Sequence, residues 1–418
     1  MEQSPLEDFE DWDFVDADTQ YMTHGLHPYP ARMIPQIARR LIKKYSEEGN
    51  IVLDPFCGSG TVLVEAKLAN RNSIGVDINP FALLLSRVKT TPLNPLELKK
   101  VAARLFESIS NDIVKGIEVE KPQFFNIDFW FKPYVIRDLA IIKRNILKLE
   151  PDLRDFFLVS FALTVRKSSN TRNSEFKLFR LPPDKLKAHK PNVYRIFEQV
   201  VKNSIEKMKL FYEACKNKQT YTLLLECDAK RMSIPSSKVD LIVTSPPYGD
   251  SKTTVAYGQF SRLASQWIGF DEKRIRIVDK ESLGGKPQTT LKFESPTLEK
   301  VIKKIKEIGS KERRRKGRER EVISFYNDLF DSLVEMCRVL KDNGHACIVI
   351  GNRTVCSVQV PTDKIIQEMC NSMDFVYVKT IHRSIPYKTM PIEVSPSNVP
   401  GEKERTMTRE NIIILKKS

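Results

Sequence analysis

The tetrad Ser245-Pro246-Pro247-Tyr248 follows the apolar run Asp240-Leu241-Ile242-Val243-Thr244. A strand that stops at two prolines and an aromatic makes a rigid shelf, because each proline fixes φ and removes a backbone donor, leaving carbonyls to face a cleft. Those carbonyls can accept hydrogen bonds from an exocyclic amino group on a planar ring, and Tyr248 offers a face on which the ring can stack. The same four residues also suit a plain proline turn after a buried strand. On the tetrad alone both readings stand, so a second motif has to separate them.

That motif is Asp54-Pro55-Phe56-Cys57-Gly58-Ser59-Gly60-Thr61, set between Ile51-Val52-Leu53 and the run from Val62 to Ala69. It reads as strand, glycine-rich turn and helix, where close glycines let the backbone approach a ligand and the helix N-terminus supplies free N–H groups. The short run Ser73-Ile74-Gly75-Val76-Asp77-Ile78 comes next. Its Asp77 follows Asp54 at close to the ~20-residue interval at which an acid meets a ribose hydroxyl in nucleotide-binding βαβ units. Gly60 is followed by Thr61-Val62, which excludes the phosphate loop of an NTPase, and the turn does not match the spaced dinucleotide fingerprint. A nucleoside without a pyrophosphate fits better, with Asp54 near an amino-acid end and Asp77 on the ribose. S-adenosylmethionine is such a ligand.

Together these motifs resemble those of the amino-methyltransferases that modify exocyclic nitrogens in DNA. In that family a D-P-F-x-G-S-G-T segment binds S-adenosylmethionine and an (S/D/N)-P-P-(Y/F) tetrad holds the target base. The resemblance implies that Ser245, Pro246, Pro247 and Tyr248 are catalytic. It implies that Asp54, Pro55, Phe56, Gly58, Gly60, Thr61, Asp77, Ile78 and Thr244 bind the cofactor, with Asp228 at its adenine. A third segment, His27-Pro28-Tyr29-Pro30-Ala31-Arg32-Met33-Ile34-Pro35, is similar to the one that closes over the methionine part, which adds His27 and Pro28. Serine in first place is most similar to the N4-cytosine branch, whereas the N6-adenine branch more often carries Asp. The resemblance further implies double-stranded DNA as substrate and a restriction endonuclease as functional partner. RNA amine methylation, N6-adenine specificity and a catalytically silent scaffold are the other readings. A silent scaffold would have no chemical need for Asp54, Gly58, Gly60, Asp77, Ser245 and Tyr248 together. No Pro-Cys dipeptide occurs, so the nucleophile of carbon-5 cytosine methylation is missing, and Cys57 reads as a packing residue.

The elements that must position these residues are a helix over 35–46, a strand over 51–54, a helix over 60–70, a strand over 73–78 and a helix from Pro80. The sheet resumes with 223–226 and 239–244; a helix over 325–340, a buried strand over 344–351 and a last strand over 411–415 complete it. Apolar strands alternating with helices predict an α/β fold, a doubly wound, mostly parallel Rossmann-like sheet with ligands at the carboxyl edge of its strands. Roughly 150 residues part the second strand from the third, far beyond an ordinary connection, so a largely helical insertion is expected. The organisation read is an acidic tail over 1–20, a catalytic domain over 21–92 and 219–418, a helical insertion over 93–218 as candidate target-recognition region, and a basic insertion over 271–320.

The chain has 418 residues and a net charge of +15, which favours an anionic partner without choosing between DNA and RNA. Residues 1–20 carry eight acids and no base, the pattern of a solvated tail or of a segment that docks on a basic cleft. The segment from Val165 to Arg180 mixes bases with small polar residues; Arg166, Lys167 and Arg172 could hold phosphates or could belong to a solvated loop. Lys252 beside the tetrad, with Ser251 and Tyr257, carries the same two readings. Arg313, Arg314 and Arg315 lie in a dense basic run that suits electrostatic binding. The stretch His382-Arg383-Ser384-Ile385-Pro386-Tyr387 is a candidate to reach an extruded base. No run approaches the ~18 apolar residues of a membrane span and the acidic start lacks signal-peptide features, so a cytoplasmic protein is expected. Seven cysteines without C-x-x-C pairs and five histidines without ligand spacing predict reduced thiols and no metal.

Overall fold

The computed structural model describes residues 11–173, 175–249, 255–312, 316–385, 393–394, 404–405 and 407–418. Seven strands form the main sheet: β1 (Ile51–Asp54), β2 (Asn72–Asp77), β3 (Thr222–Glu226), β4 (Val239–Thr244), β5 (Leu340–Ile350), β6 (Phe375–Ser384) and β7 (Arg409–Lys417). Their order is β3-β2-β1-β4-β5-β7-β6. The pairs β3–β2, β2–β1, β1–β4 and β4–β5 are parallel, while β7 runs antiparallel to both β5 and β6. This is the doubly wound, Rossmann-like sheet expected of the sequence. The strand order reverses between β1 and β4, where ligands of open α/β sheets bind.

Central strands are apolar on both faces because helices cover both. One face packs α1 (Pro35–Tyr45) and α2 (Thr61–Leu68) through Ile37, Leu41, Val62 and Ala66 against Val52, Leu241 and Ile412. The other packs the helices Pro296–Lys311 and Arg318–Val339 through Leu298, Ile305, Phe325 and Leu329 against Leu53, Ile242 and Ile348. Within 271–320, read from the sequence as a basic insertion, the helix over 296–311 packs one face on the sheet and keeps its lysines outside. Leu298, Val301 and Ile305 recur at helical spacing and are buried, while Lys303, Lys304 and Lys306 point outward.

The inserted region is helical, with long helices Pro95–Val114, Pro133–Ile146, Pro151–Ser168 and Val193–Cys215. Four of its helices start with proline in the first turn, where the missing N–H has no intrahelical partner to lose. Its core is continuous with that of the sheet region: Phe156, Phe161 and Phe197 share one cluster with Phe81 and Leu85 of α3 (Pro80–Thr90). Phe260 and Trp267 of α4, the name used here for the helix Tyr257–Ile268 that follows the tetrad, join the same cluster.

The described part of the acidic start is packed and not a free tail. Trp12 is buried against α1, with the Arg40 guanidinium 4.8 Å over its ring, and the Arg383 Nε donates to the Trp12 carbonyl at 2.9 Å. Strand β6, which periodicity did not reveal, is one edge of the sheet, opposite β3.

Candidate active site

Four adjacent strand ends open into one cleft of about 880 Å³, its open mouth included. Strand β1 delivers Asp54, β2 delivers Asp77, the turn after β3 delivers Cys227 and Asp228, and β4 delivers Ser245 and Pro247. Pro55, Phe56, Gly58, Thr61 and Ile78 line the same space. The turn is built by its backbone. Gly58 has φ of +48°, and a Cβ there would meet the Tyr29 ring at 3.2 Å; its N–H donates to Asp77 Oδ2 at 2.9 Å. The other Asp77 oxygen accepts from the Asn79 N–H at 2.8 Å. Asp54 accepts from Thr244 Oγ1 at 2.6 Å and from the Phe56 N–H at 3.1 Å. Burial pushes both carboxyls up, Asp54 to about 7 and Asp77 to about 6, against the lowering effect of these donors.

Gly60 stands behind the cleft as the N-cap of α2, with φ of +80°. A Cβ there would reach Ser86 Oγ at 2.8 Å and Ser86 Cα at 3.0 Å, so this glycine permits α2 to lie against α3.

From the upstream segment, Tyr29 to Met33 line the cleft, whereas His27 and Pro28 do not. His27 is buried edge-on against Phe81 and Phe260, and its Nδ1–H donates to the Pro28 carbonyl at 2.6 Å. Burial lowers its pKa to about 3 and leaves it neutral. The geometry makes it a packing residue behind the wall. The residues that sequence reading passed over are Arg32, Asn79 and the end of the helix Glu272–Glu281, which adds Glu281, Ser282 and Leu283 to the lining. Asn79 caps α3 through the Phe81 N–H and donates to Tyr29 Oη at 3.3 Å. Tyr29 stacks on Tyr257 at 5.9 Å between ring centroids, and both rings line the cleft.

Arg32 donates to the His24 carbonyl at 2.7 Å and has no carboxylate partner among the described residues. Burial lowers its pKa. A half-buried cation of this kind suits a carboxylate, the acids Asp77 and Asp228 suit hydroxyl and amino donors, and Phe56, Ile78 and Pro247 add apolar wall to the same cleft. S-adenosylmethionine fits this donor set.

At the tetrad, Thr244 turns back to Asp54, Pro246 is buried, and Ser245 and Pro247 face the cleft. Ser245 Oγ donates to Tyr248 Oη at 3.3 Å, and Tyr248 Oη donates to Glu410 Oε1 at 2.9 Å. Burial and the Glu410 charge push the Tyr248 phenol up, so it keeps its proton. Glu410, 162 positions away in sequence, carried no local signal.

Several bases proposed for nucleic acid are already engaged. The Arg166 guanidinium donates to the carbonyls of Asn173 and Glu175 and lies 4.6 Å over Phe260. Arg172 pairs with Glu175 at 3.1 Å and covers Phe179. Lys167 is exposed, and beyond it Phe176 and Phe179 also face solvent. Ser251, Lys252, Arg313, Arg314 and Arg315 lie outside the described residues. Arg383 is corrected: it is buried and ion-paired with Glu410, and His382 Nδ1 is bound to Asn411 Oδ1 at 2.8 Å. Arg383 is therefore not free to reach a base, whereas His382 is exposed, and Pro386 and Tyr387 lie outside the described residues.

A family model described as DNA methylase matches residues 6–87. The Type II methyltransferase M.MvaI of Kocuria varians is 39% identical, over 96% of this chain and 93% of that protein. M.MjaII of Methanocaldococcus jannaschii is 38% identical over 22% of this chain and 18% of that protein. A tRNA (guanine(10)-N2)-dimethyltransferase of the same organism is 46% identical over 22% of this chain and 27% of that protein. With a relative of this identity matched along nearly its whole length, the chain belongs to the S-adenosylmethionine-dependent DNA methyltransferases of Type II restriction–modification systems.

Proposed function

We propose that the chain methylates the exocyclic N4 of cytosine in double-stranded DNA, protecting that DNA from a cognate restriction endonuclease. The observation that carries this reading is that Ser245 and Pro247 line the same cleft as Asp54, Gly58 and Asp77, so an amino group held by the tetrad lies beside the cofactor. S-adenosylmethionine, when bound, supplies a methyl group on a sulfonium centre. The amino nitrogen of cytosine is a poor nucleophile because its lone pair is delocalised into the ring. Acceptance of its N–H groups by Ser245 Oγ and the Pro246 carbonyl favours a pyramidal nitrogen with its lone pair aimed along the cleft. Alignment of this kind can supply several kcal/mol. No strong base is required, since the cationic product loses a proton readily.

Reaching the nitrogen in a duplex takes the base out of the stack at a cost of a few kcal/mol. Stacking on Tyr248 offsets part of it. Lys167, Lys252, Arg313, Arg314 and Arg315 are proposed as phosphate contacts, with Arg166 and Arg172 holding the loop that presents Phe176 and Phe179. A second reading, RNA amine methylation, draws on the tRNA dimethyltransferase match, which spans 22% of the chain.

The test is incubation with labelled cofactor and separate pools of unmodified duplex DNA and RNA, followed by nucleoside analysis. Label in N4-methylcytosine from DNA is the expected result. Label in N6-methyladenine or only in RNA overturns it.

A further inference from the structure

A serine hydroxyl can present either a proton or lone pairs to a ligand. An amino substrate needs the lone pairs. The structure holds a chain of groups that removes the choice. Ser245 Oγ lies 3.3 Å from Tyr248 Oη, and Tyr248 Oη lies 2.9 Å from Glu410 Oε1. The second Glu410 oxygen is ion-paired with Arg383 Nη1. Arg383 is fixed in turn by the N-terminal segment, its Nε donating to the Trp12 carbonyl at 2.9 Å and its Nη2 to the Asp13 carbonyl at 3.2 Å. The Asp13 side chain closes the arrangement by accepting from the Ser384 N–H at 2.7 Å.

A carboxylate held by a guanidinium accepts and does not donate. The Tyr248 hydroxyl must therefore give its proton to Glu410, and its oxygen is left to accept from Ser245. The Ser245 proton then points away from the cleft. What the cleft meets is an acceptor. Each donation also strengthens the next, so the direction is cooperative along the chain.

We propose that Glu410 is a positioning residue that sets the hydrogen-bond polarity of the tetrad, so that Ser245 is an acceptor for an amino group and not a donor to a carbonyl. Arg383 and the segment Trp12–Asp13 hold Glu410 in that role. The inference rests on the reading of the tetrad as an amino-group clamp.

Glu410→Gln makes the idea testable because it keeps the shape and inverts the logic. Arg383 still claims the amide oxygen, the amide N–H turns to Tyr248, the phenol proton turns to Ser245, and the serine proton is driven into the cleft. The experiment compares wild type, E410Q, Tyr248→Phe and the double variant on unmodified PCR-amplified duplex DNA with tritiated S-adenosylmethionine, in single turnover. Cofactor affinity and thermal unfolding are measured alongside. The expected result is a loss of about 10-fold or more in E410Q, about one hydrogen bond's worth of rate. Cofactor affinity stays within about 2-fold of wild type. Y248F removes the relay and leaves the serine free to rotate, so it loses less, and adding E410Q to Y248F produces no further loss. Losses that multiply in the double variant overturn the proposal, as does a wild-type rate in E410Q. A fall in cofactor affinity or unfolding temperature that accounts for the rate loss makes Glu410 merely structural and also overturns it. Wild type that labels no DNA sinks the methyl-transfer reading itself, a failure distinct from any pattern among the variants.

Discussion

The cofactor cleft and the basic loop after the helix Pro151–Ser168 both offer charged side chains, but they hold them differently. In the cleft, Asp77 is fixed by the backbone N–H groups of Gly58 and Asn79, and Arg32 by the His24 carbonyl, so ionic capacity is left for a ligand. At the loop, Arg166, in the last turn of the helix before it, and Arg172, within it, are turned onto nearby carbonyls, a carboxylate and aromatic rings. A charge that is oriented but lines an open cleft is preorganised for a partner; a charge whose donors are spent on its own neighbourhood organises that neighbourhood. The same residue type therefore serves binding in one region and architecture in the other.

The strongest way to break this contrast is at the tetrad. Ser245→Ala or Tyr248→Ala is expected to cut methyl transfer by about 100-fold or more, the scale of a lost transition-state contact, while cofactor affinity measured by calorimetry stays near wild type. Loss of cofactor affinity in both would show that the tetrad belongs to the cofactor end.

The carboxyls Asp54 and Asp77 give a pH test. Both are raised, to about 7 and about 6 from 3.8, so the folded state binds more protons than the unfolded chain between these values. Their contribution to stability is full below about pH 4 and is lost as pH rises through 6 and 7, a change of a few kcal/mol in total. Denaturant unfolding of the cofactor-free protein should show this decline, and Asp54→Asn should flatten it. A steeper decline in the variant would contradict the assignment.

Gly60→Ala tests the backbone side of the contrast. It is expected to cost about 2 kcal/mol from a left-handed φ and the Ser86 contact, read as a shift in the unfolding midpoint. An unchanged midpoint would mean that the turn has slack. The smallest effects separate the two bases in the last turn of the helix Pro151–Ser168. Arg166→Met should lower stability by about 1 kcal/mol and leave the salt dependence of DNA binding alone, whereas Lys167→Met should reduce the salt slope by about 1 with no change in stability. The opposite pattern would return Arg166 to the nucleic-acid surface.

Parts of this were legible because they are local. Strands β1, β2 and β4 are short apolar runs closed by a polar residue, and a sheet covered on both faces requires such runs. Strand β6 was not legible. It is an outer strand of the sheet, and Val376, Tyr377 and Val378 are all exposed, so the alternation that marks a half-buried strand is lost. The packed helix over 296–311 was not legible because its apolar face, Leu298, Val301 and Ile305, is narrow beside the lysines. His27 misled in another way: its motif does build the cleft, but through Tyr29 and Arg32, with the imidazole turned inward.

By itself the sequence determined the parallel sheet, the order in which cofactor turn and tetrad follow each other, and the cofactor, since each depends on short-range backbone geometry at a strand end. Only the tertiary structure decided who holds whom. Tyr248 meets Glu410 across 162 positions and Arg383 meets Trp12 across 371. Such partners are set by which strands lie side by side at the far edge of the sheet, and no local spacing encodes that choice.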